Sequence, residues 1–219
     1  MKNIKILKNK KADKYFLRNV DFYNGDSLDE RIINLLKSNN IKADKILEIG
    51  CANGFKLNQY SKLLKTKINY GVDLSKKAIL SGKKKYKNLD LFNISSLEID
   101  KIKPNFDLII CGFFLYHLDR EFIFHQFDLI YKKLNKNGLL LINDFDPLFK
   151  HSNKDFNTKD LISYKMSYDI FLLESGLFEL IYKFKYKTST NDKRKFKSDK
   201  VSLTLFRKID FQKQYPENV

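Results

Sequence analysis

The run Ile46-Leu-Glu-Ile-Gly-Cys-Ala-Asn-Gly54, followed 19 positions later by Asp73, constrains this chain more than any other feature. Residues 45–49 have the make-up of a strand, pass into a turn of small residues and lead to an amphipathic stretch over 55–65. Such a strand–loop–helix unit brings backbone N–H groups close to a ligand. Gly50 and Gly54 suit the tight turn and the close approach. Asp73 closes a second apolar run, 68–72, so it stands where a carboxylate accepts hydrogen bonds from a ribose diol. The combination describes a site for an adenosine-type cofactor.

The loop narrows the choice. A dinucleotide site uses G-x-G-x-x-G to seat a pyrophosphate on a helix N-terminus. Here the spacing is Glu48-x-Gly50-x-x-x-Gly54, with Ala52 where a middle glycine would stand. Glu48 places negative charge at the strand end, which repels phosphate and favours a cation. A ligand with a ribose, an ammonium and a sulfonium fits that charge pattern. The acid-first loop resembles the first motif of class I S-adenosylmethionine-dependent methyltransferases.

Four further segments follow in the order of that family. Tyr70-Gly-Val-Asp73-Leu-Ser75 resembles its second-strand motif, and Leu89-Asp-Leu-Phe-Asn93-Ile94 falls where a polar residue meets the adenine amine. Phe106 to Leu118 matches the fourth-strand motif, and Leu134 to Asp144 the turn and fifth strand. The resemblance implies a Rossmann-like α/β fold. Its seven-stranded, mostly parallel sheet would carry helices on both faces and end in an antiparallel hairpin. It also implies S-adenosyl-L-methionine as cofactor, held by Glu48, Gly50, Cys51, Ala52, Gly54, Asp73, Leu74, Asn93, Ile94, Gly112 and Phe113.

Periodicity agrees with alternating strands and helices, the pattern of a parallel sheet covered on both faces. Strands are expected at 45–50, 68–73, 89–92, 106–112 and 138–144, helices at 55–65, 75–86 and 119–134, and a closing hairpin at 178–187 and 200–207. Residues 147–177 show no clear period. Before the main domain, 44–219, residues 1–43 read as a helical extension or lid. In it Ser27-Leu-Asp-Glu30 forms a capping box for a helix from Leu28 to Ser38. An earlier helix over 11–20 would bring Tyr15, Arg18 and Tyr23 over the cofactor, or simply pack them.

Composition sets bounds. At 219 residues with 43% hydrophobic content the chain supports one domain with a full core, and no apolar run reaches the length of a membrane span. Cys51 and Cys111 suggest neither a disulfide framework nor metal-ligand spacing, and the N-terminus lacks a leader-like apolar stretch. A cytoplasmic, metal-independent protein is the simplest expectation. A net charge of +16 raises the question of nucleic acid. However, only Arg18, Arg31, Arg120, Arg194 and Arg207 among the 42 basic residues are arginine, the residue suited to bidentate phosphate contact. The lysines are spread from end to end, so a solvated surface is favoured over an RNA-binding face, and either could attract an anionic small substrate.

Ligands of open α/β sheets bind at the carboxyl ends of the strands. That rule gathers Glu48–Gly54, Asp73, Gly112–His117 and Asp144–Asp146 into one cleft. For a hydroxyl acceptor the candidate proton acceptors are His117 and Asp144. The alternatives are a cofactor-shaping role for His117 and turn capping for Asp144 and Asp146. Asp144-Phe-Asp-Pro-Leu-Phe-Lys-His151 with Ser163-Tyr-Lys-Met-Ser-Tyr168 resembles a narrower methyltransferase group associated with bacterial surface polysaccharides. That likeness implies O-methylation of a sugar or nucleotide-sugar, with Tyr116, Asp146, His151, Tyr164 and Lys165 as substrate contacts. The competing readings are an RNA methyltransferase and a non-catalytic cofactor-binding scaffold. The base-positioning Asn/Asp-Pro-Pro-Tyr/Phe tetrapeptide of N-methylating enzymes is absent.

Overall fold

The structure, a computed structural model, describes residues 2–21, 28–155, 160–187 and 200–210. Its centre is a sheet with strand order β3-β2-β1-β4-β5-β9-β8. The strands are β1 (Lys45–Ile49), β2 (Ile68–Val72), β3 (Asp90–Phe92), β4 (Phe106–Gly112), β5 (Leu134–Phe145), β8 (Phe178–Lys187) and β9 (Lys200–Lys208). The first five pair in parallel, and β9 lies antiparallel between β5 and β8. The strand order therefore reverses between β1 and β4, which opens a crevice at their carboxyl ends.

Near-continuous apolar runs mark strands covered on both sides. In β1, Leu47 and Ile49 join one cluster with Ile109, Cys111, Leu140 and Ile142, while Ile46 joins the opposite one with Leu108, Ile110 and Leu141. The period of two thus sorts each strand between two cores. Helices α4 (Phe55–Leu64), α5 (Lys76–Lys85) and α6 (Ile123–Lys133) supply much of the cover. No helix among the described residues is long and apolar enough to cross a membrane.

Several boundaries differ from expectation for local reasons. Helix α3 (Glu30–Ser38) is capped by Asp29, whose carboxylate accepts from the Arg31 N–H, and Ser27 lies outside the described residues. Strand β5 begins at Leu134 because that residue pairs with Phe106 across an irregularity before Leu108. Helix α6 starts at Ile123, after two short 3-10 turns at Leu115–His117 and Arg120–Phe122. The aperiodic region holds a separate hairpin, β6 (His151–Lys154) with β7 (Ile162–Lys165), and a short helix α7 (Asp169–Glu174).

The N-terminal segment is helical from Lys2. It comprises α1 (Lys2–Ile6), a π-helical turn (Leu7–Lys11) and α2 (Ala12–Arg18). Fully buried Asn3 fastens it to the domain. Its backbone N–H donates to Asp119 Oδ1 at 2.9 Å, its Nδ2 to the carbonyls of His117 and Ile162, and its Oδ1 accepts from the Ile162 N–H at 3.1 Å.

Candidate functional site

The crevice is built on the loop after β1. Gly50 and Cys51 both donate to the Val72 carbonyl, at 2.9 and 3.1 Å, and Gly54 donates back to Cys51. Gly50 holds φ +74°, and a side-chain carbon there would stand 3.0 Å from Phe114 Cβ. Gly54, at φ +76°, opens α4. Both positions combine left-handed backbone with close neighbours, the conditions only glycine meets without strain. Ala52 is also left-handed, at φ 50°.

That geometry presents the Ala52 N–H to Asp73 Oδ2 at 2.9 Å, while Asp73 Oδ1 accepts from the Ser75 N–H at 2.7 Å. Burial pushes the Asp73 carboxyl above its ordinary value, and the Ser75 and Ala52 donors pull against it. Each oxygen keeps a lone pair for a ligand. Asp73, Leu74, Ile94, Gly50, Ala52, Phe113 and His117 line one cavity, roofed by Ile4, Leu7, Ala12, Tyr15 and Phe16 of the N-terminal segment. Asn93 does not line it: its Nδ2 donates to the Asp73 carbonyl at 2.9 Å, and Ser95 and Ser96 stand at the wall instead.

The cleft continues past Gly50 and Phe113 to a second compartment containing Glu48, Cys51, Lys56, Gly112, Tyr116 and Phe145. Glu48 is buried between β2 and β4, and its Oε2 has no hydrogen-bond partner among the described residues. Burial raises its pKa to about 8, against the pull of Lys56. An unsatisfied buried carboxylate oxygen costs free energy, so it marks a place for a cationic or donor group. Cys51 is a buried free thiol whose pKa burial also raises.

The remaining expected site residues divide sharply. His117 reaches the cofactor-side cavity, edge-on to Tyr15 with ring centroids 5.5 Å apart, but both ring nitrogens are buried with no hydrogen-bond partner among the described residues. Burial lowers its pKa to about 4, so near neutral pH it is an uncharged wall and a weak base. Asp144 lines neither compartment. Its Oδ1 accepts from the Phe145 N–H at 2.7 Å and its Oδ2 from the Tyr116 N–H at 3.3 Å, so it braces the loop after β4. Burial lifts it to about 7.

Asp146 pairs with Lys183 and Lys185 at 2.9 and 3.0 Å; those cations and Ser167 outweigh burial and hold its carboxyl low. His151 Nδ1 lies 2.9 Å from the Phe149 carbonyl, the Tyr164 ring lies under Arg120, and Lys165 Nζ sits 4.3 Å from the Phe145 centroid. None of these four lines the cleft, because Asp146 is held by the lysines of β8 and the other three are turned to packing on and beside the β6–β7 hairpin; Tyr116 does line it.

Several contributors carry no sequence signal. Phe145 sits inside an apolar strand, and Asn19 and Lys56 lie in ordinary helical surroundings. Tyr15, already a lid candidate, bonds Tyr116 hydroxyl to hydroxyl at 3.0 Å. Arg18 pairs with Asp155 at 3.4 Å on the hairpin, and Tyr23 lies outside the described residues. No group of three or more His, Cys, Asp or Glu among the described residues is placed to hold a metal ion.

Residues 40–198 match the family described as a methyltransferase domain, and the chain belongs to that family. With its sheet order and its acid-and-glycine cleft it has the class I architecture, and S-adenosyl-L-methionine is the cofactor that this cleft fits. A stretch of 108 residues is 33% identical to the uncharacterized protein RP028 of Rickettsia prowazekii, covering 47% of this chain and 43% of that one. The chain thus spans less than half the length of that relative. Among solved structures, it is similar to the N-methyltransferase NodS of Bradyrhizobium japonicum with S-adenosylhomocysteine (TM-score 0.63, 18% identity, 96% of this chain and 100% of that one). It is also similar to the 1,6-didemethyltoxoflavin N1-methyltransferase of Burkholderia thailandensis (TM-score 0.70, 13% identity, 94% and 89%). At these identities the likeness to the solved structures establishes the fold.

Proposed function

We propose that the protein transfers a methyl group from S-adenosyl-L-methionine to a small-molecule acceptor. The observation that carries this reading is one cleft with a differently prepared carboxylate at each end. Asp73 is oriented by two backbone donors, whereas Glu48 keeps an unpartnered oxygen. Asp73 would hold the ribose diol and Glu48 the ammonium. Leu74, Ile94 and Ser95 would flank the adenine, and Gly112 and Phe113 the methionine end. When bound, the cofactor supplies an electrophilic methyl group on a sulfonium. The chain's own part is to align donor and acceptor and to exclude water.

The segment over residues 2–18 acts as a lid, with Asn3 as its clasp and Tyr15 as its contact with the far wall. Neither His117 nor Asp144 is assigned as a base. One is neutral and weak, and the other is committed to the loop. The likeness to small-molecule methyltransferases such as the toxoflavin-precursor enzyme supports an acceptor of that size. A sugar or nucleotide-sugar of surface-glycan assembly is the acceptor suggested by the Asp144-Phe-Asp-Pro147 turn. That suggestion rests largely on residues outside the cleft walls, and the chemistry of the wall itself supports another class.

Calorimetry with S-adenosylhomocysteine tests the cofactor assignment, and labelled S-adenosylmethionine with a fractionated cell extract tests the acceptor. Label in the small-molecule fraction is expected. Label confined to RNA would overturn the small-molecule reading, and cofactor binding with no transfer to any fraction would reduce the protein to a scaffold.

A further inference from the structure

Beyond the cofactor end, the cleft lies between α2, the loop after β4 and the end of β5. Five rings stand on its walls there: Tyr15, Phe55, Phe113, Tyr116 and Phe145. Tyr116 meets Phe145 edge to face with centroids 5.1 Å apart, and Phe113 meets Phe145 at 5.7 Å. These are favourable aromatic geometries, with the His117 ring centroid 3.9 Å from that of Tyr116 and the Lys56 and Lys165 ammoniums over the Phe113 and Phe145 rings. The Tyr15–Tyr116 hydroxyl pair adds a single polar edge.

The charge on this wall is equally informative. Glu48 and Lys56 are the carboxylate and the lysine that line it, and the Lys165 ammonium lies 4.3 Å from the Phe145 ring centroid without lining it. Burial draws the Lys56 pKa down while Glu48 and Asp29 pull it up, which leaves Asp29 to answer its charge when Glu48 meets the cofactor's ammonium. Among the described lining residues there is no arginine to grip a phosphate in bidentate fashion. His117 faces the other compartment, and Asp144 is bound to backbone.

We infer that this compartment takes an uncharged, flat aromatic or heteroaromatic acceptor, seated among Phe113, Tyr116 and Phe145 with the Tyr15–Tyr116 hydroxyls at its polar edge. The inference rests on the methyl-transfer reading. A ring-bound hydroxyl of the tyrosine kind ionises near pH ~10, so it asks less of a general base than a sugar alcohol does. In the transfer, a lone pair on the ring substituent forms the new bond to the methyl carbon. The carbon–sulfur pair stays on sulfur, and the displaced proton passes to water at the mouth.

The test uses the full chain. S-adenosylhomocysteine binding is measured first by calorimetry. The saturated protein is then titrated with 2-naphthol, and with glucose 1-phosphate as the anionic-sugar control. The chain has no tryptophan, so naphthol emission is read against tyrosine alone. Saturable naphthol binding is expected, with none for glucose 1-phosphate. Tyr116→Ala should loosen naphthol about tenfold, the upper range of one aromatic contact, with the urea midpoint as the check on the fold. Phe145→Leu, which keeps a bulky apolar residue in β5, should loosen it in the same direction. If the cofactor product binds but naphthol does not, or binds both variants as it binds the unmodified chain, the aromatic assignment is overturned and the cofactor reading stands. Tighter binding of glucose 1-phosphate than of naphthol overturns it too. Failure of S-adenosylhomocysteine to bind overturns both.

Discussion

The two ends of the cleft are made by different means. The cofactor end is made of backbone: left-handed Gly50, Ala52 and Gly54, and N–H groups aimed at Asp73, all within one βαβ unit. The proposed acceptor end is made of side chains from distant segments, Tyr15 on α2, Tyr116 after β4 and Phe145 on β5. A loop whose shape is set by φ angles is robust to what surrounds it. A wall of rings depends on every element that carries one. The first kind of site suits a shared cofactor, the second an acceptor that differs between relatives.

The sharpest way to break this contrast is Asp73→Ala. It removes the proposed diol acceptor and both braces of the loop, so S-adenosylhomocysteine affinity should fall about a hundredfold or more, the worth of two hydrogen bonds to a charged group. Unchanged affinity in calorimetry would mean that the cofactor end is not organised around this carboxylate.

Asn3→Ala comes next, because the Asn3 side chain joins the proposed lid to the His117 carbonyl after β4 and to Ile162 on β7, while its backbone bond to Asp119 survives the substitution. If the segment is a lid, loss of these side-chain bonds should destabilise its docking by about 2 kcal/mol and speed S-adenosylhomocysteine dissociation accordingly. Stopped-flow release unaltered beside a full-sized drop in the urea midpoint would make the segment part of the core rather than a lid.

For Asp144→Asn the expected cost is about 1–2 kcal/mol of stability, since the amide turns a donor toward a backbone N–H. Urea unfolding measures it, and any loss of turnover should track the disturbed loop. A variant of full stability and no turnover would restore Asp144 as a catalytic carboxylate.

Glu48 makes the cofactor end sensitive to pH. With its pKa near 8 in the free protein, it is largely protonated at neutral pH, and it must ionise to meet an ammonium. Affinity should therefore tighten as pH rises from about 6 to 8, with proton release visible by calorimetry in buffers of different ionisation enthalpy. Glu48→Gln should flatten the profile, and a steep profile in the variant would assign the proton elsewhere.

His117 gives the smallest effect at neutral pH. Its folded pKa, near 4, lies below the unfolded value of 6.5, so the unfolded chain binds more protons between them. The stability this group contributes is complete above pH 6.5 and is lost as pH falls toward 4, by about 3 kcal/mol in full. His117→Phe should lose less on acidification than the unmodified chain, and parallel curves would show that this imidazole is not held neutral.

The backbone-made end was legible in the chain because its signals are local. Gly50, Gly54 and Asp73 act through conformations their own residue types favour, at separations set by one strand, one loop and one helix. Where legibility stopped, the governing contacts were long-range. Asn93 stands at the right place in the order, yet it spends its amide on the Asp73 carbonyl, and Ser95 and Ser96 take the wall. Asp146, His151, Tyr164 and Lys165 looked like one substrate group, but Asp146 is taken by ion pairs to β8 and a hairpin with no hydrophobic period turns the other three to packing.

The sequence by itself therefore determined the alternating fold, the order of the motifs and the cofactor end, because those follow from strand period, turn chemistry and residue type. Only the tertiary structure decided which carboxylates are braces, that Asn3 is a clasp, and that Tyr15, Tyr116 and Phe145 share a wall. The physical reason is that burial and hydrogen-bond partners, which decide what a polar side chain can do, are set by segments far apart in the chain.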